Sequence, residues 1–113
     1  MRDIESYVRS LLADKGLILA GTSERALLRQ DALRCVQLFR QGQVPILGGD
    51  VYHARGGELE PAYANWHADR APGESLDEFV ARASDVAWKY IHGFPERPGD
   101  VPAFVFVTAP KDA

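Results

Sequence analysis

Cysteine occurs once in 113 residues, at Cys35. A single thiol makes neither an intramolecular disulfide nor a multi-thiolate zinc site, which excludes the secreted disulfide scaffold and the zinc ribbon. Long apolar runs are missing as well, none approaching the roughly 20 residues that cross a bilayer. Positive charge is not in excess: 13 Lys+Arg stand against 16 Asp+Glu, a net −3 with the three histidines neutral. A general nucleic-acid binder carries a basic patch or stripe, so that class is set aside. The first residues, Met1-Arg2-Asp3-Ile4-Glu5, hold acids where a signal peptide has its basic and apolar regions, and the expected compartment is the cytoplasm. There is no Gly-x-Ser-x-Gly elbow, no P-loop and no G-x-G-x-x-G run.

What is present is ordinary globular material, 46% hydrophobic and 26% charged. A chain of this length hides about 65% of its unfolded surface and needs no staple to fold. One domain over residues 1–113 is expected, with 110–113 a short tail. Ile4, Tyr7, Val8, Leu11 and Leu12 recur at spacings of three and four and predict an amphipathic helix over 3–14, stopped by Gly16 in a left-handed conformation. Leu17-Ile18-Leu19 and Ala26-Leu27-Leu28 flank a turn-like Gly21-Thr22-Ser23; either reads as a brief strand, the second better. A second helix over 31–41 buries Ala32, Cys35, Val36 and Phe39, with Arg25, Arg29, Arg34 and Arg40 read as a solvated face. On that apolar stripe Cys35 is a small buried hydrophobe.

From Val44 the pattern turns to strand and runs to His53. Gly56-Gly57 suits a tight hairpin turn, since both residues accept positive φ, and the return strand spans 58–67. Ser75 and Glu78 form a capping box for a helix to Ile91, and Gly93 and Pro95 close it. Ala103 to Thr108 is a β-prone run expected to be central and buried on both faces. Helices and a hairpin-bearing sheet in one small chain predict an α+β two-layer fold, mainly antiparallel, with about three helices packed on a central hairpin.

Chemistry-bearing side chains concentrate in residues 46–69. A two-residue turn at Gly56-Gly57 would set Asp50 opposite Tyr63, Gly48 opposite Asn65 and His53 opposite Glu60. Leu47, Val51, Ala62, Ala64 and Trp66 would then face the core, and Asp50, Tyr52, Tyr63, Asn65 and His67 would face away. A one-residue bulge at Gly48-Gly49 would exchange the two sets. Three readings compete for that second set. His53, His67 and a carboxylate could bind a metal, but this register puts the histidines on opposite faces. Asp50 with His67 could do acid–base work, but the two are not directly opposed. A protein-binding surface uses Tyr and Trp for contact area and carboxylates to steer a basic partner. Each has a bland counterpart: Trp66 packing in the core, Asp50 capping a turn.

The run Val44-Pro45-Ile46-Leu47-Gly48-Gly49-Asp50-Val51-Tyr52, then Tyr63-x-Asn65-Trp66, then the Ser75 helix ending in Tyr90-Ile91, resembles the immunity protein 40 family. The likeness extends from about residue 17 to residue 108, and Leu-Gly-Gly-Asp-Val-Tyr at 47–52 followed by Asn65-Trp66 is its most specific part. Ala64 and His67 depart from the family's pattern, which has an acid and an aromatic there. The resemblance implies an α+β antidote, encoded beside a toxin of a bacterial polymorphic toxin system, that binds its cognate toxin domain stoichiometrically with no cofactor and no turnover. Asp50, Tyr52, Glu60, Tyr63, Asn65 and His67 are the toxin-binding candidates, with Gly48, Gly49 and Trp66 as structural motif residues. A monomer or weak homodimer with no nucleic-acid or membrane partner is expected. The alternative is a small enzyme or ligand-binding domain with a pocket at Gly48-Gly49-Asp50.

Overall fold

The computed structural model describes residues 3–109, so the tail read at 110–113 lies outside the described residues. Helix α1 spans Ile4–Lys15 and is capped by the Asp3 carboxylate, which accepts from the Ser6 N–H at 2.8 Å. Gly16 follows it in an extended conformation rather than the expected left-handed one. Its lack of a side chain serves a close approach instead: a Cβ there would overlap the Leu12 carbonyl and the Arg25 side chain.

Both short apolar runs form strands. Strand β1 (Leu17–Ile18) pairs antiparallel with β2 (Arg25–Leu28). Helix α2 then runs Arg29–Gln41, starting two residues before the sequence pattern places it. Its N-cap is Leu28, which makes no side-chain capping bond, so the local start signal is absent. Strands β3 (Ile46–Arg55) and β4 (Glu58–His67) are joined at Gly56-Gly57, with φ of 54° and 84°. Helix α3 spans Leu76–Gly93 and its capping box is complete: the Glu78 N–H donates to Ser75 Oγ at 3.1 Å, and the Ser75 N–H to Glu78 Oε1 at 2.9 Å. Strand β5, Val101–Thr108, starts two residues earlier than expected.

Among the described residues the sheet has five strands in the order β1-β2-β5-β3-β4, and every neighbouring pair is antiparallel. The most β-prone segment, β5, lies in the middle as its composition predicts. The helices lie on one side: α2 packs on α3, and α1 on α2. The core between the layers joins Leu27, Val51, Trp66 and Phe104 of the sheet to Val8, Leu33, Val36, Leu38 and Ile91 of the helices. Each such side chain contributes about 1.5–3 kcal/mol by leaving water. Cys35 is fully buried here, and burial pushes its thiol up to about 12, so it serves as packing.

Arg29 corrects the reading of a solvated arginine face. Its guanidinium donates to the carbonyls of Ile91 (2.5 Å), His92 (3.1 Å) and Phe94 (2.8 Å), tying the start of α2 to the end of α3. A cation there satisfies carbonyls that the last helical turn leaves unpaired and complements the helix dipole. Arg34 and Arg40 are exposed on α2, whereas Arg25 belongs to β2. Among the described residues no helix is long and apolar enough to cross a membrane.

Candidate functional site: the uncovered face of the sheet

The β3–β4 pairing holds two registers. From the turn to Tyr52↔Pro61 the numbers follow a two-residue hairpin, and His53 faces Glu60 as expected. Between Val51 and Tyr52 the register shifts, leaving Ala62 and Tyr63 as extra residues on β4. Beyond the shift Asp50 faces Asn65 and Gly48 faces His67, which corrects the expected pairings of Asp50 with Tyr63 and of Gly48 with Asn65. Because the shift is two residues and side chains alternate with period two, the division into faces survives it. Against β5 there is a further irregularity between Ile46 and Gly48.

Gly49, Val51, Ala64 and Trp66 therefore lie on the helix side, with Phe104 and Phe106 beside them. Trp66 is buried, with ring centroids 5.1 Å from Tyr90 and 5.9 Å from Phe106. The glycines are filled rather than open. A Cβ on Gly49 would overlap the indole and the Val105 carbonyl, and one on Gly48 would overlap the Trp66 carbonyl.

The other face carries Asp50, Tyr52, Asn65 and His67, which the structure brings together. Asp50 and Tyr52 alternate along β3, and Asn65 and His67 stand across from Asp50 and Gly48. Central to this face are Ala26, Ala103 and Val105, flanked by Leu17, Tyr52 and Leu59; every member of the cluster belongs to a strand and none to a helix. By register, Leu28, Val101 and Val107 lie on the same face, and all three are exposed. Among the described residues this side of the sheet has no second layer.

Charge divides the same way. Arg55 pairs with Asp100 and with Glu60, on the helix side of the hairpin, so the structure separates Glu60 from the other candidates. The arginine also holds the Asp100 carboxyl below the usual carboxylate range. On the uncovered face burial, then Asp50, then Glu24 push the Tyr52 phenol up, placing both carboxylates in its field. Neither Asp50 nor Glu24 is in an ion pair among the described residues. Sequence reasoning missed Glu24, Leu59 and Val105 because the loop before β2, strand β4 and strand β5 bring them here; a period-two reading of β5 was the available signal for Val105.

His53 lies on the opposite face from His67, its ring 6.4 Å from that of Phe94. Among the described residues no group of three or more His, Cys, Asp or Glu could hold a metal ion. A groove of about 220 Å³ between α2 and α3 is lined by Val36, Gln37, Arg40, Ser84, Asp85 and Trp88, in the helix layer and away from Asp50.

Among the described residues the sheet thus carries its helices on one side and, on the other, Asp50, Tyr52, Asn65 and His67 with exposed Leu28, Val101 and Val107. Residues 16–108 match the family described as Immunity protein 40, and the chain belongs to that family. The general role that comes with membership is toxin immunity. No curated protein and no solved structure matches the chain.

Proposed function

We propose that this chain neutralises a cognate bacterial toxin by binding it one to one through the uncovered face of the sheet, occluding the toxin without turnover and without a cofactor. The observation that carries the reading is the face itself. Its apolar cluster is built from strands alone, Leu28, Val101 and Val107 remain exposed on it, and Asp50 and Glu24, which act on Tyr52, are in no ion pair among the described residues. Ala26, Ala103 and Val105 are buried beneath flanking side chains, so the apolar surface offered to a partner is that of Leu28, Val101 and Val107 with polar groups beside them. Tyr52 supplies contact area at low entropy cost, Asn65 and His67 extend the polar rim, and Asp50 and Glu24 favour a partner with a basic surface.

Co-expression with the toxin domain encoded by the neighbouring gene tests this. The expected result is restored growth and a complex that co-purifies at one copy of each chain. Continued killing, with no complex recovered, would contradict it.

A further inference from the structure

We infer that Tyr63 is the anchor by which the toxin is held: a strained, solvent-facing aromatic that fills an apolar pocket of the partner. The inference rests on the toxin-binding reading above and deepens it.

Tyr63 is in the left-handed region, with φ of 56°, inside the two-residue register shift of β4. For an L-residue with a bulky side chain this conformation is disfavoured, and glycine or asparagine is the residue that adopts it cheaply. Strain of that kind persists where the surrounding structure over-determines it, and it clusters at binding and switch sites. The register shift holds the backbone, but side-chain packing adds nothing: Tyr63 is 93% exposed, the most exposed large hydrophobic side chain among the described residues. Its ring makes none of the aromatic contacts seen among the described residues.

The position also fits. Beyond the shift the same strand presents Asn65 and His67 on the uncovered face. Pro61, just before it, cannot donate a ladder hydrogen bond, and with the bulge it blunts β4 as an edge for strand addition. Side-chain insertion, not sheet extension, is therefore the contact this edge is built for. A rigid amphipathic ring with two rotatable bonds is among the side chains enriched at the energetic centre of protein interfaces. Its receptor on the toxin is an apolar-walled pocket of phenol size.

The test is Tyr63→Gly, with stability and affinity measured on the same protein against a catalytically inactivated toxin domain from the neighbouring gene. Glycine relieves the strain, so the melting temperature is expected to hold or rise by a few degrees, while affinity falls by about thirtyfold or more. Tyr63→Phe keeps the ring and is expected to bind within about threefold of the unaltered chain. Unchanged affinity in Tyr63→Gly would overturn the anchor, and a marked fall in its melting temperature would overturn the strain argument beneath it. If the unaltered chain itself fails to bind, the toxin-binding reading falls and the anchor falls with it.

Discussion

The Trp66 indole stands where a side chain on Gly49 would have to be, one strand away and directly opposite in the β3–β4 ladder. The two positions function as one unit: the absent side chain makes room for the largest present one. Gly49→Ala forces the indole or the β5 backbone to move and is expected to cost about 1–3 kcal/mol. Urea unfolding at neutral pH measures it. The indole is on the helix side, so where it yields and β5 keeps its place the folded fraction should bind the toxin domain normally.

Arg29 offers a second stability test. Removing its guanidinium strands the carbonyls of Ile91, His92 and Phe94, two of these bonds being partly buried. Arg29→Ala should lower unfolding stability by about 2–3 kcal/mol. Arg29→Lys should recover only part of that, since an ammonium cannot reproduce the planar fork. Thermal or urea unfolding of the two variants checks the order.

How much of this was legible in the sequence follows from where each signal resides. The α3 start was readable because Ser75 and Glu78 carry their partners within three residues. The middle position of β5 was readable from its apolar run. The α2 start was not, since what fixes it is an arginine reaching a helix end more than 60 residues away. The β4 register was not, because Tyr63 adopts a backbone conformation opposed to its own preference. The candidates Asp50, Tyr52, Asn65 and His67 nevertheless share a face, because a two-residue shift leaves period-two patterning intact.

Charge on the uncovered face should act on encounter more than on folding. The double variant Glu24→Lys with Asp50→Lys is expected to slow association with the toxin domain about tenfold at low salt, with the gap narrowing by about 0.5 M salt. Stopped-flow association kinetics across a salt series read both effects. Both carboxylates are exposed and outside any ion pair among the described residues, so unfolding stability should stay within about 0.5 kcal/mol.

The loop before α3 predicts a pH dependence. Glu74 is held down to about 2, first by its bond to Arg82 and then by the Ala71 N–H. Its folded value lies below its ordinary value of 4.5, so protons bind the unfolded chain more readily. The contribution is therefore complete above about pH 4.5 and is lost as pH falls toward about 2. Glu74→Gln should unfold more easily than the unaltered chain at neutral pH, and the difference should close across that window. Urea midpoints at a series of pH values measure it.

The central claim is that the toxin docks on the uncovered face and not on the helix layer. Val107→Arg and Gln37→Arg each replace a neutral exposed side chain with the same cation, the first on that face and the second on α2. The direct measurement is the dissociation constant of each variant with the inactivated toxin domain. The structure predicts a loss of about a hundredfold for Val107→Arg and a change within about threefold for Gln37→Arg. Full affinity in Val107→Arg, with binding lost in Gln37→Arg, would contradict it.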